Sequence, residues 1–154
     1  LALGIAQLVR LWWFERSRLQ FRVTGKASYG KVGQDRHVLQ ITVRVTNQSR
    51  LDNSISECWL TWQSQQSRPP TCSMRTDDIK TVTDGKRIFK VVFPDFEIEP
   101  SAIEFPLFIR AHDTVEGYAI FSTDAQDFKD ISASTARLRI RDSHSKWYEA
   151  PVKV

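Results

Sequence analysis

The stretch VLQITVRVTNQS, residues 38–49, decides the fold. Leu39, Ile41, Val43 and Val45 fall on one side of an extended chain, and Gln40, Thr42, Arg44 and Thr46 on the other. Successive side chains of a strand point to opposite faces, so this alternation predicts one buried and one wet face, the mark of an antiparallel sheet. A helix would scatter the same four aliphatic residues around its axis. The next residues, TNQSRLDNS at 46–54, supply turn chemistry, because Asn, Asp and Ser bond nearby backbone groups and tolerate tight turns.

The same period runs outward in both directions. LQFRV at 19–23 alternates Leu19, Phe21 and Val23 against Gln20 and Arg22. In SISECWLTW, residues 54–62, Cys58, Leu60 and Trp62 share the inward face, and Ile55, Glu57, Trp59 and Thr61 share the outward one. QSQQSRPPTCS at 63–73 is a polar connection whose prolines exclude it from a central strand. Asp84-Gly85 opens a turn into a strand over 84–93, EFPLFIRA at 104–111 reads as an edge strand, and TVEGYAIFS at 114–122 as another strand. TDAQDFKDIS at 123–132 reads as a loop or a single helical turn. ARLRIRD at 136–142, a turn at SHSK and WYEAPVKV at 147–154 close the chain. The expectation is an all-β, antiparallel immunoglobulin-like β-sandwich of seven to eight strands over 19–154, preceded by a short N-terminal helix over 1–18, with a closed barrel as the alternative.

A chain of 154 residues is one domain plus a flanking segment. The net charge of +4 is spread along it, which suits solubility or an anionic membrane surface better than nucleic acid. LALGIAQLV at 1–9 is apolar apart from Gln7, and a spanning helix needs about 20 apolar residues. Three readings of this segment stand. It is the back half of a membrane helix whose start lies upstream, an amphipathic helix packed on the domain, or an interfacial helix lying on a membrane. In the first, Trp12, Trp13 and Phe14 form the interfacial ring belt, and Arg16 and Arg18 lie just beyond it. Arginines at the exit then place the domain on the cytoplasmic side, which reduced thiols at Cys58 and Cys72 fit, a single disulfide between the two being the alternative in an oxidising compartment.

The stretches ITVRVTNQS, ISECWLTW, FPLFIRAHDTVEGYAIFS and ARLRIRDSHSKWYEAPVKV together resemble a group of uncharacterised bacterial membrane-anchored proteins with an immunoglobulin-like β-sandwich domain. The resemblance is one of pattern over 19–154. It implies a fold and an anchoring arrangement, and brings no catalytic residues with it.

The residues themselves show no catalytic constellation. His37, His112 and His144 lack metal-ligand spacing, so no metal and no cofactor are expected. Asp124, Asp127 and Asp130 recur every third residue, without the alternation and Gly of a calcium loop. No nucleophile elbow or phosphate-binding Gly loop is present. Glu97, Glu99 and Glu104 would need a cleft to act as paired carboxylates, and edge-strand charge explains them as well.

Two features stand out. Arg137, Arg139 and Arg141 share one sheet face roughly 7 Å apart, either as an anion-binding row or as a solvated face with acidic cross-strand partners. Trp59 and Trp147 point outward in the same phase analysis. Such rings are covered by the N-terminal helix, by a protein partner or by a stacked sugar. The expectation is a non-catalytic, membrane-tethered protein-interaction or sensing module, with a carbohydrate- or nucleic-acid-binding domain as the alternative, nucleic acid being the weaker.

Overall fold

The computed structural model describes residues 2–15, 18–64, 71–92 and 96–154, with backbone alone for 11–15. In chain order the elements are α1 (Ala2–Glu15), β1 (Leu19–Val23), β2 (Ser28–Val32), β3 (Arg36–Asn47), β4 (Asn53–Gln63), β5 (Thr71–Arg75), β6 (Ile79–Asp84), β7 (Arg87–Val92), β8 (Phe96–Ile98), β9 (Leu107–Ile109), β10 (Thr114–Asp124), α2 (Ala125–Ala133), β11 (Ala136–Asp142) and β12 (Trp147–Val152). The protein is mostly β, and among the described residues the strand ladders are all antiparallel. Twelve strands stand among the described residues, where alternation alone predicts seven or eight. Several of the additional ones, such as β5, β8 and β9, are too short to show a period of their own.

The strands form three sheets. In sheet I, β3 lies between β10 on one side and β1 followed by β2 on the other. Sheet II runs β12-β11-β4-β5, with β9 also paired to β4. Sheet III is the meander β6-β7-β8. The quoted stretch behaves as its alternation requires: Leu39, Ile41, Val43 and Val45 are all buried in the central cluster. Cys58, Leu60, Trp62, Leu138 and Ile140 of sheet II meet them in that cluster, so sheets I and II close face to face over one core.

Two departures from simple alternation have clear causes. Ile55 is fully buried although its number places it with outward Trp59. Opposite the single step from Arg141 to Asp142, β4 advances two residues, from Glu57 to Ile55, and this bulge reverses the phase. Ser56, the extra residue, donates its hydroxyl to the Arg141 carbonyl at 3.2 Å. The second departure lies on the far face of sheet I, which is only partly wet. Val38 and Ile120 pack there against Val92, Ile98 and Ala102.

The TDAQDFKDIS stretch forms a nine-residue helix. Asp124 caps it, accepting the Asp127 N–H at 2.7 Å. The three-residue recurrence of Asp124, Asp127 and Asp130 is therefore a helical one. Asp130 is buried and accepts from Ser64 Oγ at 3.3 Å and Gln126 Nε2 at 3.2 Å.

Side chains also hold the turn ends. Fully buried Asn47 donates Nδ2 to the carbonyls of Leu51 at 2.9 Å and Ile109 at 3.2 Å, tying the β3–β4 turn to β9. Buried Asp142 accepts the backbone N–H groups of His144 and Lys146, each at 2.9 Å, and the Tyr148 hydroxyl at 3.3 Å. Asn47 belongs to the turn stretch picked out by composition, whereas Asp142 closes the ARLRIRD strand just before the SHSK turn that it holds.

Cys58 and Cys72 do not form a disulfide. Trp62 pairs with Cys72 across β4 and β5, so Cys58 sits four residues further along, about 13 Å away and beyond disulfide reach. Burial pushes the Cys58 thiol up from its ordinary value. Above about pH 8.5 the unfolded chain releases this proton while the folded chain keeps it, so stability falls as pH rises by up to about 1.4 kcal/mol per unit. Urea titrations at pH 8 and pH 10 should show a smaller loss for Cys58→Val than for the parent. An identical loss in both would assign the slope to other groups.

Candidate functional site: the outer face of sheet II

The outer face of sheet II brings the two sequence-level features together. Arg139 of β11 pairs in register with Trp59 of β4 on one side and Glu149 of β12 on the other. Arg141 lies between Glu57 and Trp147, and Arg137 between Thr61 and Pro151. Trp59 continues the row to Arg75 of β5. The period of two that buries Leu138 and Ile140 drives Arg137, Arg139 and Arg141 outward, as the alternation predicts.

Each guanidinium of the row has a defined neighbour. Arg137 and Arg139 share Glu149, at 3.1 Å and 2.8 Å. Arg141 approaches Glu57 at 3.7 Å and donates to Ser145 Oγ at 3.1 Å. Arg139 also lies over the Trp147 ring at 4.6 Å and Arg141 at 5.7 Å. The acidic cross-strand partners foreseen for a solvated face are therefore present. Arg75 is exposed, and no carboxylate pairs with it among the described residues. Among the described residues, four guanidinium groups on these strands thus face two carboxylates, while Asp77, Asp78 and Glu104 share a hollow with Arg75 at the edge, and the positive excess lies along β11.

Trp147 remains 38% exposed. The part that is covered lies against guanidinium groups, and the described side chains of α1, residues 2–10, are all exposed. Residues 2–10 of α1 therefore offer no packed cover to Trp147, and the side chains at 11–15, where the packed-helix reading also places contacts, lie outside the described residues. Trp59 is half-buried between its two register neighbours. Beside Arg137 the face ends in a hollow of about 500 Å³ whose lining includes Thr61, Gln63, Thr71 and Thr135.

Such contacts stabilise little. Exposed ion pairs contribute about 0.2–1 kcal/mol each, and an exposed cation–π contact about 0.5–1 kcal/mol. The lattice therefore adds modestly to folding while fixing the direction of side chains that would otherwise sample many rotamers.

The other candidates fall elsewhere. Arg18 is partly buried at the start of β1, its carbonyl accepting from Gln48 at 2.8 Å. Arg16 and the side chains of Trp12, Trp13 and Phe14 lie outside the described residues. No helix among the described residues is long and apolar enough to cross a membrane. His37 stacks on Phe128 at 4.4 Å, far in sequence from the turn residues His112 and His144. Glu97 pairs with Arg87, Glu104 accepts from Thr81 at 2.7 Å and Glu99 from Ser101 at 3.5 Å, each a local partnership. Among the described residues, no three His, Cys, Asp or Glu side chains gather as metal ligands would.

Alternation in the sequence locates the arginines and both tryptophans. Arg75, Glu57 and Glu149 enter the site only through the pairing of β5, β4 and β12, which no single stretch encodes.

The fold and this face define a mostly β protein with an arginine–tryptophan sheet surface. No protein-family model and no curated protein matches the chain. Two solved structures are similar to it at a distance. One is the crystal structure of a Bordetella pertussis protein named there as ApaA, with 13% identity, 88% of this chain and 89% of that one covered, and a TM-score of 0.39. The other is the X-ray structure of the structural-genomics target SoR45, with 6% identity, 90% and 81% covered, and a TM-score of 0.36.

Proposed function

We propose that this protein is a non-catalytic interaction or sensing module: an immunoglobulin-like sandwich over residues 19–154, tethered to a membrane through its N-terminal segment and recognising a protein partner with the outer face of sheet II. The observation that carries the reading is the convergence of Trp59, Trp147 and four arginines on one rigid sheet face. Trp and Arg dominate the energetically important positions of protein interfaces. Preset rotamers lower the entropy lost on binding. The immunoglobulin-like assignment is supported by two antiparallel sheets over one core, with the chain crossing between them from β3 to β4 and from β10 to β11. The tether is supported by α1, where Leu3, Ile5, Leu8 and Val9 are all exposed. An apolar helix left in water is unfavourable by about 25 cal/mol per Å² of apolar surface, which an acyl phase relieves. Exit arginines favour the cytoplasmic side.

A photo-crosslinking amino acid placed at Ser73, exposed beside Arg75 on the same outer face, tests both parts in cells, in the full chain with Trp147 left in place. A discrete product is expected in the membrane fraction. It should be lost on Arg139→Ala and should leave the membrane fraction on Leu3→Asp with Leu8→Asp. The same crosslinker at Glu116, exposed on sheet I, should give no such product. Equal products from both positions would defeat the recognition reading, and an unchanged membrane fraction in the Asp variant would defeat the tether.

A further inference from the structure

We infer that the outer face of sheet II seats an extended, acidic segment of its protein partner. This rests on the reading of that face as the recognition surface and adds the chemistry of what binds there. Three observations carry it. Among the described residues the strands of this face set Arg75, Arg137, Arg139 and Arg141 against Glu57 and Glu149, with Asp77, Asp78 and Glu104 near Arg75 at its edge, so the β11 row above all is completed by a ligand that supplies carboxylates. Glu149 is already divided between two guanidiniums, which leaves both with unused donors. The third is spacing. Alternate arginines on β11 recur at roughly 7 Å, and alternate residues of an extended peptide recur at the same interval. A segment lying along β11 with acidic residues at every second position therefore presents one carboxylate to each guanidinium. The Trp147 ring, 38% exposed, supplies an apolar rest at one end. At the other, the hydroxyl and amide groups of Thr61, Thr71, Thr135 and Gln63 line the hollow beside Arg137 and match a polar peptide backbone.

The test uses the full chain and a fluorescein-labelled decapeptide of alternating Glu and Ser, read by anisotropy. The comparison probes are a decapeptide of five consecutive Glu followed by five Ser, a double-stranded DNA dodecamer and a hexameric uronate. The alternating peptide should bind most tightly. Exposed pairs of this kind are worth about two- to five-fold each. Arg75→Ala and Arg139→Ala should weaken binding by about that factor, and Glu149→Gln, which releases two guanidiniums, should tighten it by a similar one. The gain from Glu149→Gln cannot come from unfolding. The inference is overturned if the block peptide binds equally well, if DNA or the uronate binds more tightly, or if the three variants leave the affinity unchanged. Crosslinks from position 73 that persist while the alternating peptide fails would keep the face as a recognition surface and remove its acidic ligand. Absence of those crosslinks removes both.

Discussion

Phe121→Ala should lower the stability of the fold by about 3–5 kcal/mol, the loss typical of truncating a fully enclosed aromatic ring. Phe121 has no solvent exposure and is among the largest such side chains in the protein. It pairs with Leu39 across β10 and β3, in the cluster that joins sheets I and II. Truncation removes its transfer free energy and leaves a cavity that two sheets held by their own ladders close poorly. Domains of this size have about 5–15 kcal/mol to lose, so the variant should be marginal. Urea unfolding followed by far-UV circular dichroism should show a large drop in midpoint with an unchanged slope. Ile88→Ala, at a residue 69% exposed on β7, should stay within about 0.5 kcal/mol of the parent. Similar midpoints for the two variants would mean that Phe121 does not join the sheets.

Gly117→Ala comes next, with an expected loss of about 1–3 kcal/mol from adding a single methyl group. A Cβ at Gly117 would stand 2.4 Å from the Ser101 carbonyl oxygen and 2.7 Å from Ile103 Cγ1. The carbonyl is not free to retreat. It accepts the Tyr118 N–H at 3.1 Å, and Ile103 donates its own N–H to the Tyr118 carbonyl at 2.8 Å. Residues 101–103 are thus laid along the edge of β10, and any shift that admits the methyl breaks those bonds. Ile103→Ala in the Gly117→Ala background should recover only part of the loss, because the nearest contact is to backbone. Denaturation midpoints of the two single variants and the double variant give the coupling directly. A Gly117→Ala midpoint equal to the parent's would show that the segment yields freely.

Much of this was legible in residue order because a strand's period is local. Leu39, Ile41, Val43 and Val45 specify their own face, and Arg137, Arg139 and Arg141 specify theirs. Ile55 was not legible, since its phase depends on a bulge defined by the partner strand β11. Val38 and Ile120 stand on what alternation makes a wet face, and only the arrival of sheet III buries them. The helix at Ala125–Ala133 is short enough that its cap and one buried Ile131 carry it, which a loop-like composition of Asp, Gln and Lys obscures. At the site, the arginine row could be read from β11 alone. Its neighbours could not, because cross-strand partners are set by register. The guanidiniums against Trp147 are a further instance, since they come from the adjacent strand.

The most direct test of outer sheet II as the recognition surface is chemical footprinting of the full chain in its native cells and after purification. Oxidation of tryptophan and tyrosine rings and arginine modification are read together by mass spectrometry. Trp147, Arg75 and Arg139 should be protected in cells and become reactive on purification, while Tyr29 and Arg44 on sheet I should react equally in both. Equal reactivity of Trp147, Arg75 and Arg139 in the two settings, with protection appearing at Tyr29 and Arg44 instead, would contradict it.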